Sequence, residues 1–208
     1  MKQFGIAIFI FTVSFEILPA VTTSVSFGNS TGTELRDNSG NLLSGGAAIT
    51  QHDGAVVQIG YYALATTLDP FAGNWVAMTG PGTAYLNTIG DGGPGVAGRI
   101  KTTSIFSLGS LAFSEPSNTT PLAVRFYDST SIATSTYFNA VSNTTGSWNW
   151  VTPTDPQPFI GLLLSDPGLV WQDSPTSAFR TTIPIPEPSS STLLAILGVA
   201  ALTVRRRW

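Results

Sequence analysis

The 208-residue chain has no cysteine, one histidine and few charges: Asp, Glu, Lys and Arg together make up 10% of it. Without thiols there are no disulfides and no thiolate nucleophile, and a single imidazole removes the commonest zinc sites. The charged fraction lies well below the roughly 25% usual for soluble domains. That scarcity argues against helical bundles and coiled coils, which are built from Glu, Lys and Arg in bulk. Nine basic residues face twelve acidic ones, a net charge of −3, so the chain as a whole offers no electrostatic grip on nucleic acid. In place of charge it carries 49 Ser and Thr residues, and 35 Gly and Pro residues.

The two ends read differently from the middle. Residues 1–24 start with Lys2 and run through Phe4, Ile6, Ile8, Phe9, Ile10, Phe11 and Val13 to small residues at Ala20 and Ser24. A positive start, an apolar stretch and a small-residue exit describe a secretory signal peptide. Either small residue is an acceptable last residue before cleavage, and Glu16 is an unusual occupant of the late apolar region. At the other end Pro186-Glu187-Pro188 and a Ser/Thr run precede an uncharged apolar segment from Leu193 to Val204, then Arg205, Arg206, Arg207 and Trp208. That segment is shorter than the roughly 20 residues that span a bilayer comfortably, but the preceding hydroxyl residues extend it and arginines snorkel. The arginine cluster places the extreme C-terminus in the cytoplasm by the positive-inside rule, so the middle of the chain is expected on the far side of the inner membrane.

Residues 185–208, with a Pro-Glu-Pro motif, a short apolar helix and a terminal arginine cluster in that order, resemble the PEP-CTERM sorting signal of exopolysaccharide-producing Gram-negative bacteria. The resemblance implies recognition by exosortase, a membrane-embedded protease-transpeptidase that removes the tail as the protein goes to the cell surface. Pro186, Glu187 and Pro188 would be the sorting motif, Leu193 to Val204 the transient membrane helix, and Arg205, Arg206 and Arg207 the membrane stop signal. Ile185 and Trp208 depart from the commoner pattern. Physically, each proline fixes φ and biases its predecessor toward extended geometry, which keeps the motif out of the following helix. Residues 181–184 read as a linker.

Between 25 and 180 the pattern is one of short strands. Val57, Ile59 and Tyr61 alternate with Gln58 and Gly60, and Leu122, Val124 and Phe126 point inward while Arg125 and Tyr127 point outward. Similar runs occupy 136–141, 147–151, 159–164 and 178–183. Turn signals punctuate them at Asp37 to Asn41, His52 to Gly54, Asp91 to Gly95 and Ser165 to Gly168. A strand, the Asp37 to Asn41 turn and a second strand are expected to form the first hairpin. The fold class is therefore all-β, an antiparallel sandwich or jelly roll, large enough to bury a core without disulfides.

Candidate chemistry is thin. His52 beside Asp53 has no Gly-x-Ser-x-Gly elbow to complete a triad and reads as a polar turn. Asp37, Ser39 and Asn41 space oxygens like the start of a calcium loop, but Leu42 and Ala48 stand where glycine and the closing acid belong; no metal ligand set and no cofactor is assigned. Trp148 and Trp150 share one face if extended, about 7 Å apart. Two readings compete for them: an exposed platform that stacks on sugar rings, or core. Three Asn-x-Ser/Thr sequons, at Asn29, Asn118 and Asn143, mark positions suited to surface turns. The sequence thus points to an exported, non-enzymatic protein of the cell surface or extracellular matrix, structural or adhesive, within a polysaccharide matrix or biofilm. A lectin-like module acting on exopolysaccharide through Trp148 and Trp150 is the alternative, and an exported hydrolase the third.

Overall fold

The computed structural model describes residues 21–45, 53–78, 87–89, 96–107, 113–173 and 178–185. The sorting motif at 186–188, the arginines at 205–207, His52 and most of the leader lie outside them. Among the described residues the chain is all β, with one short 3-10 turn at Ile132–Thr134 and no α-helix. No helix among them is long and apolar enough to cross a membrane.

The described residues form ten strands in two sheets. β1 (Thr22–Gly28) lies between β5 (Lys101–Ser107) and β8 (Phe159–Leu163) in a three-stranded sheet. The larger sheet runs β10 (Ile183–Pro184), β7 (Tyr137–Asn143), β6 (Ala123–Tyr127), β2 (Val56–Tyr62), β3 (Trp75–Ala77), with β4 (Asn87–Thr88) also on β2 and β9 (Leu169–Trp171) also on β7. All pairs are antiparallel except one. β8 joins β1 in parallel, Ser24 opposite Phe159 and Gly28 opposite Leu163. A purely antiparallel arrangement therefore does not hold: β8 returns to the first strand after the chain has traversed the larger sheet, and parallel partners require such long crossovers.

Alternation builds the core. Val57, Ile59 and Tyr61 of β2, Val124 and Phe126 of β6 and Val141 of β7 join Val25 and Phe27 of β1 and Ile160 and Leu162 of β8 in one buried cluster, so both sheets contribute to the same apolar interior. Each such side chain, fully buried, stabilises the fold by roughly 1.5–3 kcal/mol. Gly60 interrupts β2 for a steric reason: a Cβ there would collide with the Val76 carbonyl oxygen and stand 2.7 Å from the Trp75 ring.

Three expected elements differ. Residues 147–151 form a turn with a single bridge, Pro121 to Asn149, rather than a strand, because Gly146 turns the chain at φ 83°. The run 178–183 is broken at Phe179, whose φ is 65°; only Arg180, bridged in parallel to Arg36, and β10 remain extended. Residues 181–184, expected as a linker, are tied into the domain. Thr181 is buried and its N–H donates to the Arg36 carbonyl, while Ile183 and Pro184 pair with Phe138 and Tyr137. At the other end, Thr22, Thr23 and Ser24 belong to β1 although they fall inside the expected leader. The first hairpin exists as a small one, Arg36 bridging Leu42 across the Asp37 to Asn41 turn, while β1 pairs elsewhere.

Candidate functional site

Trp148 and Trp150 are both wholly buried. The backbone explains it: the Leu122 N–H donates to the Trp148 carbonyl and the Trp150 N–H to the Thr120 carbonyl, so both indoles face the same side, and that side is the core. Trp148 Nε1 donates to Asp166 Oδ2 at 2.8 Å and Trp150 Nε1 to Glu115 Oε1 at 3.2 Å. The two rings share a face as expected, but they offer no surface to a sugar. The platform reading is corrected on that ground.

Among the described residues the Asp37 turn and the Asn143 sequon are equally structural. Asp37 holds its turn: Oδ1 accepts from the Asn41 N–H at 2.8 Å and Oδ2 from the Asn41 side-chain amide at 3.0 Å. Partial burial pushes the Asp37 carboxyl up, but hydrogen bonds from Asn41, Ser39 and Gly40 outweigh it and hold the pKa below the usual range. Among the described residues no group of three or more His, Cys, Asp or Glu is placed to hold a metal ion. Asn143, one of the sequons, is buried and donates to the Pro167 carbonyl at 2.7 Å.

Two features went unread in the sequence. The first is an open hollow of about 460 Å³ lined by Tyr61, Val76, Ser114, Glu115, Ser117 and Thr120. The Tyr61 hydroxyl donates to the Ser114 carbonyl, and Glu115, itself exposed, receives the Trp150 indole N–H. The hollow thus presents one carboxylate and several hydroxyls over a buried indole, a surface suited to hydrogen bonding with polar, uncharged groups.

The second lies on the larger sheet's face turned away from the shared core. Gln58, Gly60 and Tyr62 of β2, Ala123, Arg125 and Tyr127 of β6, Phe138 and Ala140 of β7 and Trp75 of β3 occupy it by register. The small residues Gly60, Ala123 and Ala140 leave room for rings to lie over them. The Arg125 guanidinium carbon sits 4.4 Å from the Phe138 ring centroid, 4.5 Å from Trp75 and 5.4 Å from Tyr62, and cation–π attraction is strongest where the cation is desolvated. Arg125 Nη2 donates to the Tyr62 hydroxyl at 2.9 Å, which donates to Gln172 Oε1 at 2.5 Å. Tyr127 donates to Gln58 Oε1 at 2.8 Å. Burial raises the pKa of both phenols, opposed by the nearby Arg125 charge. Arg125 was expected outward and is so only in part, and Tyr127, also expected outward, is 4% exposed. The cluster covers itself.

No family model, curated protein or solved structure matches the chain.

Proposed function

We propose that the chain is an exported protein of the cell surface or extracellular matrix, structural or adhesive in role, delivered through its C-terminal PEP motif. The observation that carries this reading is the order of segments in the sequence. A Lys2-led apolar leader precedes the strands, and Pro186-Glu187-Pro188, an apolar segment and Arg205 to Arg207 follow them. Every strand of both sheets falls between Thr22 and Pro184, so cutting at either flank leaves all described strand pairs whole if the leader ends before β1. A surface rich in hydroxyls and poor in charge suits a hydrated matrix, where solubility need not come from net charge.

The two sheets, joined by one apolar cluster, are read as the layers of a sandwich. Exosortase would read Pro186, Glu187 and Pro188 while Leu193 to Val204 sits in the membrane and the arginines hold the cytoplasmic end. The test is fractionation of cells carrying Glu187→Ala or Pro188→Ala. The wild-type protein is expected at the cell surface in a shortened form, and the variants as a longer, membrane-retained species. Identical size and fractionation of variant and wild type would refute the sorting role.

A further inference from the structure

The described residues contain five cations, and three of them, Arg36, Arg99 and Arg180, lie about the segment from Glu34 to Gly40. Arg36 and Arg180 are joined by a parallel bridge, and both guanidinium groups converge on Gly40. Arg36 Nη1 donates to the Gly40 carbonyl at 2.9 Å, and Arg180 Nη2 lies 3.2 Å from where a Gly40 Cβ would stand. Glu34 lies near both Arg36 and Arg99, whose charges help the hydrogen bond from the Gly32 N–H to lower its pKa. Lys101, exposed, follows Arg99 by two residues at the start of β5.

Among the described residues the carboxylates nearest Arg36 and Arg180 along the chain are Glu34, Asp37 and Asp173, and each accepts a hydrogen bond: Glu34 from the Gly32 N–H, Asp37 from the Asn41 N–H and Asp173 from the Thr182 hydroxyl. Among the remaining described residues the balance reverses: Asp53, Asp69, Glu115, Asp128, Asp155 and Asp166 stand against Arg125 alone. Exposed Ser39, Asn41 and Thr31 border the cluster.

We propose that this arginine-rich cluster docks an acidic glycan, a polysaccharide bearing carboxylate sugars. The inference rests on the reading of the chain as an exported surface or matrix protein and names its partner. The planar guanidinium presents a fork of N–H donors that matches a carboxylate in bidentate fashion, and two such groups converge on Gly40. The bordering hydroxyls and amide suit sugar hydroxyls. A nucleic acid fits less well. Its phosphates recur every ~1.7 Å of duplex, and the carboxylates elsewhere on the domain repel so dense a polyanion, whereas a uronate polymer spreads its charge more thinly among neutral hydroxyls.

The experiment titrates the full-length protein, in mild detergent, with oligogalacturonate, and in parallel with neutral dextran, inorganic polyphosphate and duplex DNA. Oligogalacturonate should bind and weaken as salt is raised, with dextran silent. Arg180→Gln and Arg99→Gln should each lower the affinity about three- to tenfold with unchanged thermal melting. Arg36→Gln should do the same or more, though it also loses the bond to Gly40, so the substitutions at Arg180 and Arg99 decide the outcome. Absence of oligogalacturonate binding at low salt, affinity unmoved by both substitutions, or tighter binding of DNA or polyphosphate would overturn the proposal. An exported protein that ignores oligogalacturonate sinks the docking surface alone. Recovery of the intact chain in the cytosol sinks the export reading and this inference with it, even where the affinity persists in vitro.

Discussion

The burial of Trp148 makes a quantitative claim. Its indole is fully enclosed in the cluster shared by both sheets, and its N–H is tied to Asp166 Oδ2 at 2.8 Å, an oxygen that also accepts the Leu163 N–H at 3.2 Å. Trp148→Ala removes the ring and leaves a cavity in that cluster, a change that costs about 3–5 kcal/mol in well-packed cores. Against a domain stability of about 5–15 kcal/mol, that is a third or more of the total at mid-range. Trp148→Phe keeps most of the volume and loses the hydrogen bond, and Asp166→Ala leaves the indole N–H unpaired; each should cost about 1–3 kcal/mol. Urea unfolding of the full-length protein, followed by far-ultraviolet circular dichroism, reads all three midpoints, and acrylamide quenching reports access to the ring. A Trp148→Ala protein within about 1 kcal/mol of wild type, with a readily quenched Trp148 in the parent, would refute the packing argument. If in addition glycan affinity fell with no change in stability, the sugar-stacking role of these indoles would be reinstated.

Two further outcomes follow from the same geometry. Tyr62 and Tyr127 have pKa values raised by burial, so the folded state keeps protons that the unfolded chain releases near pH 10. Stability is therefore complete below that pH and declines as pH rises from there toward the folded values. Absorbance titration at alkaline pH should show late-ionising phenols, Tyr61 among them through its own burial, with one fewer in each of Tyr62→Phe and Tyr127→Phe, and early titration of every tyrosine would contradict the buried cluster. In the leader, cleavage after Ser24 would strip Thr22, Thr23 and Ser24 from β1, where they pair with Ser107, Phe106 and Ile105. It would also lose the 2.7 Å hydrogen bond from Thr23 Oγ1 to the Val151 carbonyl. Processing after Ala20 spares the strand, so N-terminal sequencing of the exported protein should begin at Val21; a start at Val25 would show that β1 tolerates the loss.

What could be read in the chain was local. The alternation of Val57, Ile59 and Tyr61, and of Leu122, Val124 and Phe126, needs no partner to be recognised, and these six are buried as expected. The parallel seam between β1 and β8 joins Ser24 to Phe159, a distance along the chain over which periodicity carries no signal. The arginine cluster was likewise hidden, because Arg36 and Arg180 meet only through a single bridge. Positive φ at Phe179 broke an expected strand where no glycine warned of it; the ring's edge-on packing against Trp171, centroids 4.8 Å apart, accompanies that backbone state, which L residues adopt at a steric cost. Gln58, Arg125 and Tyr127 fall on one face by alternation, yet the cluster they form with Tyr62 draws on Trp75 from β3 and Phe138 from β7.

The scarcity of charge gives this outer face its logic. A five-strand path exposed on one side would ordinarily be kept soluble by lysines and glutamates, and exposed apolar patches invite association. Here the chain folds Tyr62, Phe71, Trp75 and Phe138 over Gly60, Ala123 and Ala140, with edge-on contacts of 5.5 Å between Tyr62 and Phe71 and 5.3 Å between Tyr62 and Trp75. One guanidinium, Arg125, is held within the rings. Its positive charge faces the rings and a phenol oxygen rather than a carboxylate, while Arg125 Nε and Trp75 Nε1 are buried without a hydrogen-bond partner among the described residues. Of the remaining four cations of the described residues, Lys101 opens β5 and is exposed, and Arg36, Arg99 and Arg180 stand outside the named strands. Solubility alone would be served as well by scattering them among the carboxylates of the domain. Their collection around Gly40 and the start of β5 instead concentrates positive charge on a chain that is acidic overall, which is the arrangement an anionic partner would select.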